Sequence, residues 1–213
     1  MLKKLSIILV FTCLSLTVRS QFIHSVEYKT GINVSAIKWE LLPHYNNAPE
    51  NYNIMFPDDY IGFSTAFNFK YLNHKYWNLS TQFGYSQIGG SDKFTFTSVT
   101  GTSIEEKKLG LRMDYVNMNL LLELKYTLGK FTPSIKTGPH LDYLTSAYAY
   151  ADNFNRVNYG LEVGGSIEYT FNKNLYLNAD CNYYWYNNKI KTSTLEVSIT
   201  KNASLMLGIG YKF

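Results

Sequence analysis

Asn202 to Phe213 (NASLMLGIGYKF) alternate strictly: Ala203, Leu205, Leu207, Ile209, Tyr211 and Phe213 form one apolar row, while Asn202, Ser204, Met206, Gly208, Gly210 and Lys212 form a small or mostly polar one. A period of two is the mark of a strand with one apolar face. The same period predicts eight strands, at Ser25–Trp39, Tyr60–Tyr71, Tyr76–Gln87, Leu109–Tyr126, Phe131–Ala147, Asn158–Phe171, Leu175–Tyr186 and Asn202–Phe213. Their apolar rows include Ile61, Phe63, Thr65, Phe67, Phe69 and Tyr71 in the second strand and Tyr159, Leu161, Val163, Gly165, Ile167, Tyr169 and Phe171 in the sixth. No charged residue interrupts these rows. A Lys or Arg facing lipid at mid-bilayer costs about 2–4 kcal/mol, so an uninterrupted apolar row is what a lipid-facing surface demands.

The connections carry as much information as the strands. Asn73–Lys75, Leu128–Lys130 and Asn172–Asn174 are tight turns, and between them fall the longer segments Pro43–Asp59, Ile88–Lys108, Tyr148–Val157 and Asn187–Lys201. Short and long alternate throughout, as in barrels with short periplasmic turns and long external loops. A soluble up-and-down barrel gives no reason for that alternation and would turn its apolar face inward. Aromatic residues gather at the row ends: Phe69, Tyr71, Trp77, Tyr126, Phe131, Phe171 and Tyr211 near the turns, and Tyr85, Tyr143, Tyr159 and Trp185 near the loops. Such residues form two interfacial belts. The expected fold is therefore all-β: an eight-stranded antiparallel up-and-down transmembrane β-barrel, closed by pairing of the last strand with Ser25–Trp39.

One row changes phase. Leu109, Leu111 and Met113 are odd-numbered, whereas Val116 to Tyr126 are even-numbered. Either a β-bulge sits near Asp114-Tyr115 or the strand leaves the membrane there; of the two, a bulge at the outer rim is the expectation. The loop residues Phe94, Phe96, Leu195, Val197 and Ile199 also alternate, which predicts that the second and fourth loops continue as ribbons above the membrane.

The N-terminus changes the charge picture. Lys3 and Lys4 precede the apolar run Leu5–Val18 and a small residue, Ser20, which predicts a signal peptide over 1–20 cut near Ser20 and a barrel domain over 21–213. Without Lys3, Lys4 and Arg19, 17 basic residues face 16 acidic ones and the net charge falls from +4 to +1. Nucleic acid is thus not an expected partner. Cys181 alone remains after residue 20, in an apolar row, so no internal disulfide can form. Aromatic residues make up 16% of the chain, yet mean hydropathy is only −0.18. Outward apolar and inward polar residues cancel in this way in membrane barrels.

Asp114–Tyr126 (DYVNMNLLLELKY), Phe131-Thr132-Pro133, Lys136–Leu144 with its Gly138-Pro139 pair, and the ending Gly210-Tyr211-Lys212-Phe213 resemble the PorT-like outer-membrane β-barrel family of Bacteroidota, also called a porin family. Asn119 stands where that family commonly has Pro, and Asn117 where it commonly has an acid. The resemblance implies an OmpX/OmpA-type barrel in the outer membrane and carries no catalytic residues. In related proteins a terminal aromatic is the assembly signal, which here implies Tyr211 and Phe213.

The inward rows hold Glu27, Lys29, Lys70, Glu123, Lys125, Lys136, His140, Asp142, Glu162, Glu168, Asp180 and Lys212. An eight-stranded barrel is only wide enough for side chains, so a structural charge network filling the lumen is expected rather than an ion path. Glu123, Lys125 and Lys136 form the expected local cluster, and Glu162, Glu168 and Asp180 the acidic one. His140 and Asp142 share a face near Glu162, but a lone His among lumen charges reads as a hydrogen-bonded filler, and His24 and His74 fall near turn ends away from it. No metal, cofactor or catalytic site is expected, and the outward rows contain no His to serve a lipid-modifying enzyme. The expected protein is a monomeric, non-enzymatic barrel with a surface, structural or interaction role through its external loops. Its partners would be outer-membrane lipids, the barrel-assembly machinery and a surface or secretion-system protein. A narrow porin-like channel, or an accessory barrel of a secretion or gliding system, is the alternative.

Overall fold

The alternating rows become one continuous antiparallel sheet that closes on itself. The computed structural model describes residues 23–41, 58–72, 74–97, 103–147, 156–191 and 195–213. The expected signal segment 1–20 and most of the first and third long loops lie outside the described residues. The strands are β1 (Ile23–Leu41), β2 (Tyr60–Tyr71), β3 (Trp77–Thr97), β4 (Ser103–Lys125), β5 (Phe131–Ala147), β6 (Val157–Thr170), β7 (Leu175–Tyr186), the two-residue β8 (Ile190–Lys191) and β9 (Leu195–Lys212). The ring runs β1-β2-β3-β4-β5-β6-β7-β9, and β9 returns to β1 from Ser25↔Lys212 to Leu41↔Leu195. Eight strands thus close the barrel, with β8 a short addition to the outer edge of β9.

The outward rows lie where the alternation placed them. Leu205, Leu207 and Ile209 are 55–67% exposed, and Val163 is 54% exposed, while Met206 on the same strand as the first three is buried. Surrounded by water, a continuous apolar belt of this size would drive aggregation; surrounded by lipid it is the stable arrangement. Cys181 is exposed within that belt. At the turn end, Leu128 and Phe131 exchange both backbone hydrogen bonds around Gly129-Lys130, and Gly129 takes the left-handed φ of 63° that favours glycine. The Gly138-Pro139 pair marks a gap in the β4–β5 ladder, which resumes at Leu122↔Thr137 after Asn119↔His140. Pro139 has no N–H to donate, and a Cβ on Gly138 would lie 1.9 Å from the Leu120 carbonyl oxygen.

One expectation changes. The alternation of β4 never breaks: Leu111, Met113, Tyr115, Asn119, Leu121 and Glu123 all face inward. The register does shift at Asp114/Tyr115, but the extra residue is Thr145 on β5, between Asp114↔Ser146 and Tyr115↔Leu144. A second shift inserts Thr200 into β9, between Ala36↔Lys201 and Ile37↔Ile199. What changes at this height is the content of the interior. Ile37, Ile88, Leu111, Met113, Tyr115, Leu144 and Val197 form an apolar core there, with Ala147, Tyr186 and Ile199 packed against it. The ribbon expected of the second loop is present, the β3–β4 ladder continuing to Thr97↔Ser103.

Candidate functional site

Every charged residue read onto the inward rows is buried or half-buried in one lumen. Lys29 donates a short hydrogen bond to Asp180, and Lys136 from the facing wall donates to the same carboxylate at 2.9 Å. Lys29 also lies 3.6 Å from Glu27, and Lys136 lies 3.7 Å from Glu162. Nearer the turns, Lys70 on β2 reaches across to Glu168 on β6 at 3.3 Å and lies 3.8 Å from Glu123. Lys212 closes on the other oxygen of Glu168. A charge held in a low-dielectric interior is stable only when paired and hydrogen-bonded, and here Lys29, Lys70, Lys136 and Lys212 meet five carboxylates, with Asp142 standing above them.

Asparagines and hydroxyls extend the pairing. Asn178 donates to Glu27 at 2.6 Å and to Asp180 at 2.9 Å. Asn119 donates to Glu162 at 2.6 Å, and Ser80 to Glu123 at 3.0 Å. Asn119 is thus a lumen ligand of Glu162. The inward row of β9 is small for a reason: Gly208 leaves room for Glu27 and Lys29, and the Tyr176 ring lies against Gly210. Lys70 and Lys212 sit 5.1 and 4.9 Å from the centroid of that ring.

The partners differ from those expected. Glu123 pairs with Lys70, Lys125 donates to Asn78 at 2.7 Å, and Lys136 belongs to Asp180 and Glu162. Glu162 and Asp180 share Lys136, while Glu168 stands apart on Lys70 and Lys212, so the three acids form no single cluster. Sequence parity tells which side of the wall a residue faces, but not its height around a staggered ring. His140 packs edge-on against Tyr184 and Tyr186 and lies 3.8 Å from Asp142, which accepts from the Tyr186 hydroxyl at 2.8 Å. Among the described residues no group of three or more His, Cys, Asp or Glu is placed to hold a metal ion. Tyr115, Tyr176, Tyr184 and Tyr186 and the asparagines were legible only as inward-facing by parity, without a partner.

The lumen is obstructed at two heights. The ion pairs fill it below, and above them a cavity of only about 10 Å³ remains beside Asn33, Gln82, Asp142 and Tyr186. That is about the space of a single water. Beyond it the apolar core closes the loop end, tightened where Gly89 donates to the Ser35 hydroxyl at 2.8 Å, joining β1 to β3 above the end of β2.

Solved structures share this architecture. The outer membrane protein OprG from Pseudomonas aeruginosa matches over 90% of this chain and 97% of its own, with TM-score 0.58 and 13% identity. The N-terminal β-barrel domain of OprF from Pseudomonas aeruginosa covers 91% of this chain and 100% of its own, at TM-score 0.49 and 12% identity. Neisserial surface protein A matches at TM-score 0.47 and 14% identity, over 87% of this chain and 97% of its own. A comparison with curated proteins returns no match. The family model described as outer membrane protein beta-barrel domain matches residues 20–185. With eight strands closed around a filled lumen and an apolar belt facing outward, the chain belongs to the outer membrane protein beta-barrel domain family and resides in the outer membrane.

Proposed function

We propose that this barrel is a non-conducting, non-enzymatic membrane anchor whose working surface is the set of ribbons it raises beyond the external leaflet. The doubly obstructed lumen carries this reading. In planar bilayers the purified protein should give no reproducible openings, and steps of fixed conductance would overturn the proposal in favour of a narrow porin-like channel.

The β3–β4 hairpin supports an interaction role. The pairing of β2 with β3 ends at Ser64↔Ser86, and Asp58↔Ser91 is the last backbone pairing of that edge among the described residues. The hairpin runs six residues further to Thr97, roughly 20 Å. A strand edge of this kind recruits a protein by strand addition. The same edge supports the second reading, an accessory barrel of a secretion or gliding system of the PorT-like type in Bacteroidota. Deleting residues 92–108 should then abolish secretion while the barrel still assembles; normal secretion would reject that role. We further propose that residues 1–20 are a cleaved signal peptide and that Tyr211 and Phe213 are read by the assembly machinery. N-terminal sequencing of the mature protein and the insertion yield of a chain lacking Phe213 test these two points.

A further inference from the structure

At the turn end the lumen opens into a vestibule of about 510 Å³, a volume typical of ligand pockets. Lys70, Lys75, Lys125 and Lys212 line it against only two acids, Glu123 and Glu168. Both acids sit at its inner end, where Lys70 lies between them and Lys212 closes on Glu168. His24 and His74 also line the wall, so the two histidines expected to be isolated near the turns share one space.

The rim repeats the sign. Each of the three tight turns carries one lysine, Lys75, Lys130 or Lys173, and all three are exposed. Neither these turns nor residues 21–26 contain an Asp or Glu. The opposite end is mixed in sign, with Asp114 paired to Arg112 and Asp59 to Lys201. A recess of one sign with low-dielectric walls concentrates ions of the other sign. Thr127 adds a hydroxyl donor to the same wall, where Thr132 donates to Thr127, Ser134 pairs with Ser166 and Thr170 donates to Glu168.

We propose that this vestibule is a receptor site for oxyanions, taking a phosphate or carboxylate group presented from the turn side. Lysine ammoniums bind such groups as point charges, and the Thr127 hydroxyl supplies a directional hydrogen bond. The source is either a small free phosphate or the acidic end of a periplasmic peptide. The site is separate from the external ribbons and does not depend on their role.

Calorimetric titration of the full chain, refolded in a neutral detergent, tests the site with pyrophosphate and with tri-glutamate, tri-glutamine serving as control. Binding of pyrophosphate alone identifies a phosphate source, and binding of tri-glutamate an acidic peptide. Either should be about tenfold weaker in the double variant K75Q/K125Q, unchanged in Lys201→Gln at the external rim, and weaker at high salt. Lys75→Gln alone changes an exposed turn side chain and should still weaken binding severalfold, so a folding defect of the double variant leaves the site testable. No binding of either probe, equal binding of tri-glutamine, or loss of binding in Lys201→Gln to the same degree would overturn the proposal.

Discussion

The two halves of the barrel interior are made by the same strands yet filled by opposite chemistry. Toward the turns the inward rows read Glu27, Lys29, Lys136, Glu162 and Asp180; toward the loops they read Ile37, Ile88, Leu111, Met113 and Val197. Only the surroundings differ. Where lipid lies outside, the outward row satisfies the hydrophobic requirement and the interior is left to polar pairing. Where the strands emerge into water, apolar side chains gain by moving inward, at roughly 25 cal/mol per Å² removed from water. The lower half is an inside-out protein and the upper half an ordinary one, joined by extra residues Thr145 and Thr200 at the seam.

This contrast predicts a graded set of responses, measurable by denaturant unfolding from lipid vesicles. Asp180→Ala removes the carboxylate shared by Lys29 and Lys136 and should cost about 3–5 kcal/mol, as expected when one partner of a buried ion pair is lost. Val163→Lys places a charge in the lipid belt and should cost about 2–4 kcal/mol. Ser166→Lys, three residues on but lining the vestibule, should be far milder in a gel assay comparing folded and boiled mobility. Equal damage by these two lysines would mean that the faces are reversed. In the upper half, Ile88→Val trims a methylene from a dry core and should cost about 0.5–1.5 kcal/mol. Lys201→Ala, which breaks an exposed pair with Asp59, should cost about 0–1 kcal/mol. If Asp180→Ala were as mild as Lys201→Ala, the charged half would be solvated rather than sealed.

The lower half was legible in the sequence because lipid enforces one rule on every outward residue, so Leu205, Leu207 and Ile209 announce their face without any partner. The closing pair of strands and the turn-and-loop rhythm followed from the same rule. In the upper half the out-of-step row Leu111 and Met113 left two readings, a bulge or an exit from the membrane; the strand kept its phase, as the exit requires, and the register shift falls on the partner strand. Pairing within the lumen was hidden for a different reason. Lys70 on β2 meets Glu168 on β6 because the ring curls them together and its stagger sets their heights, and neither quantity is written in the alternation.

The apolar core at the loop end gives the charged lumen a stopper. Among the described residues, Ile37, Ile88 and Met113 stand between the loop end and Lys29, Asp180 and Lys136, whereas the turn end opens through its vestibule. For the non-conducting barrel proposed above, with its turns in the periplasm, the lumen's electrostatics then face one compartment, and added salt should reach them from the turn side alone.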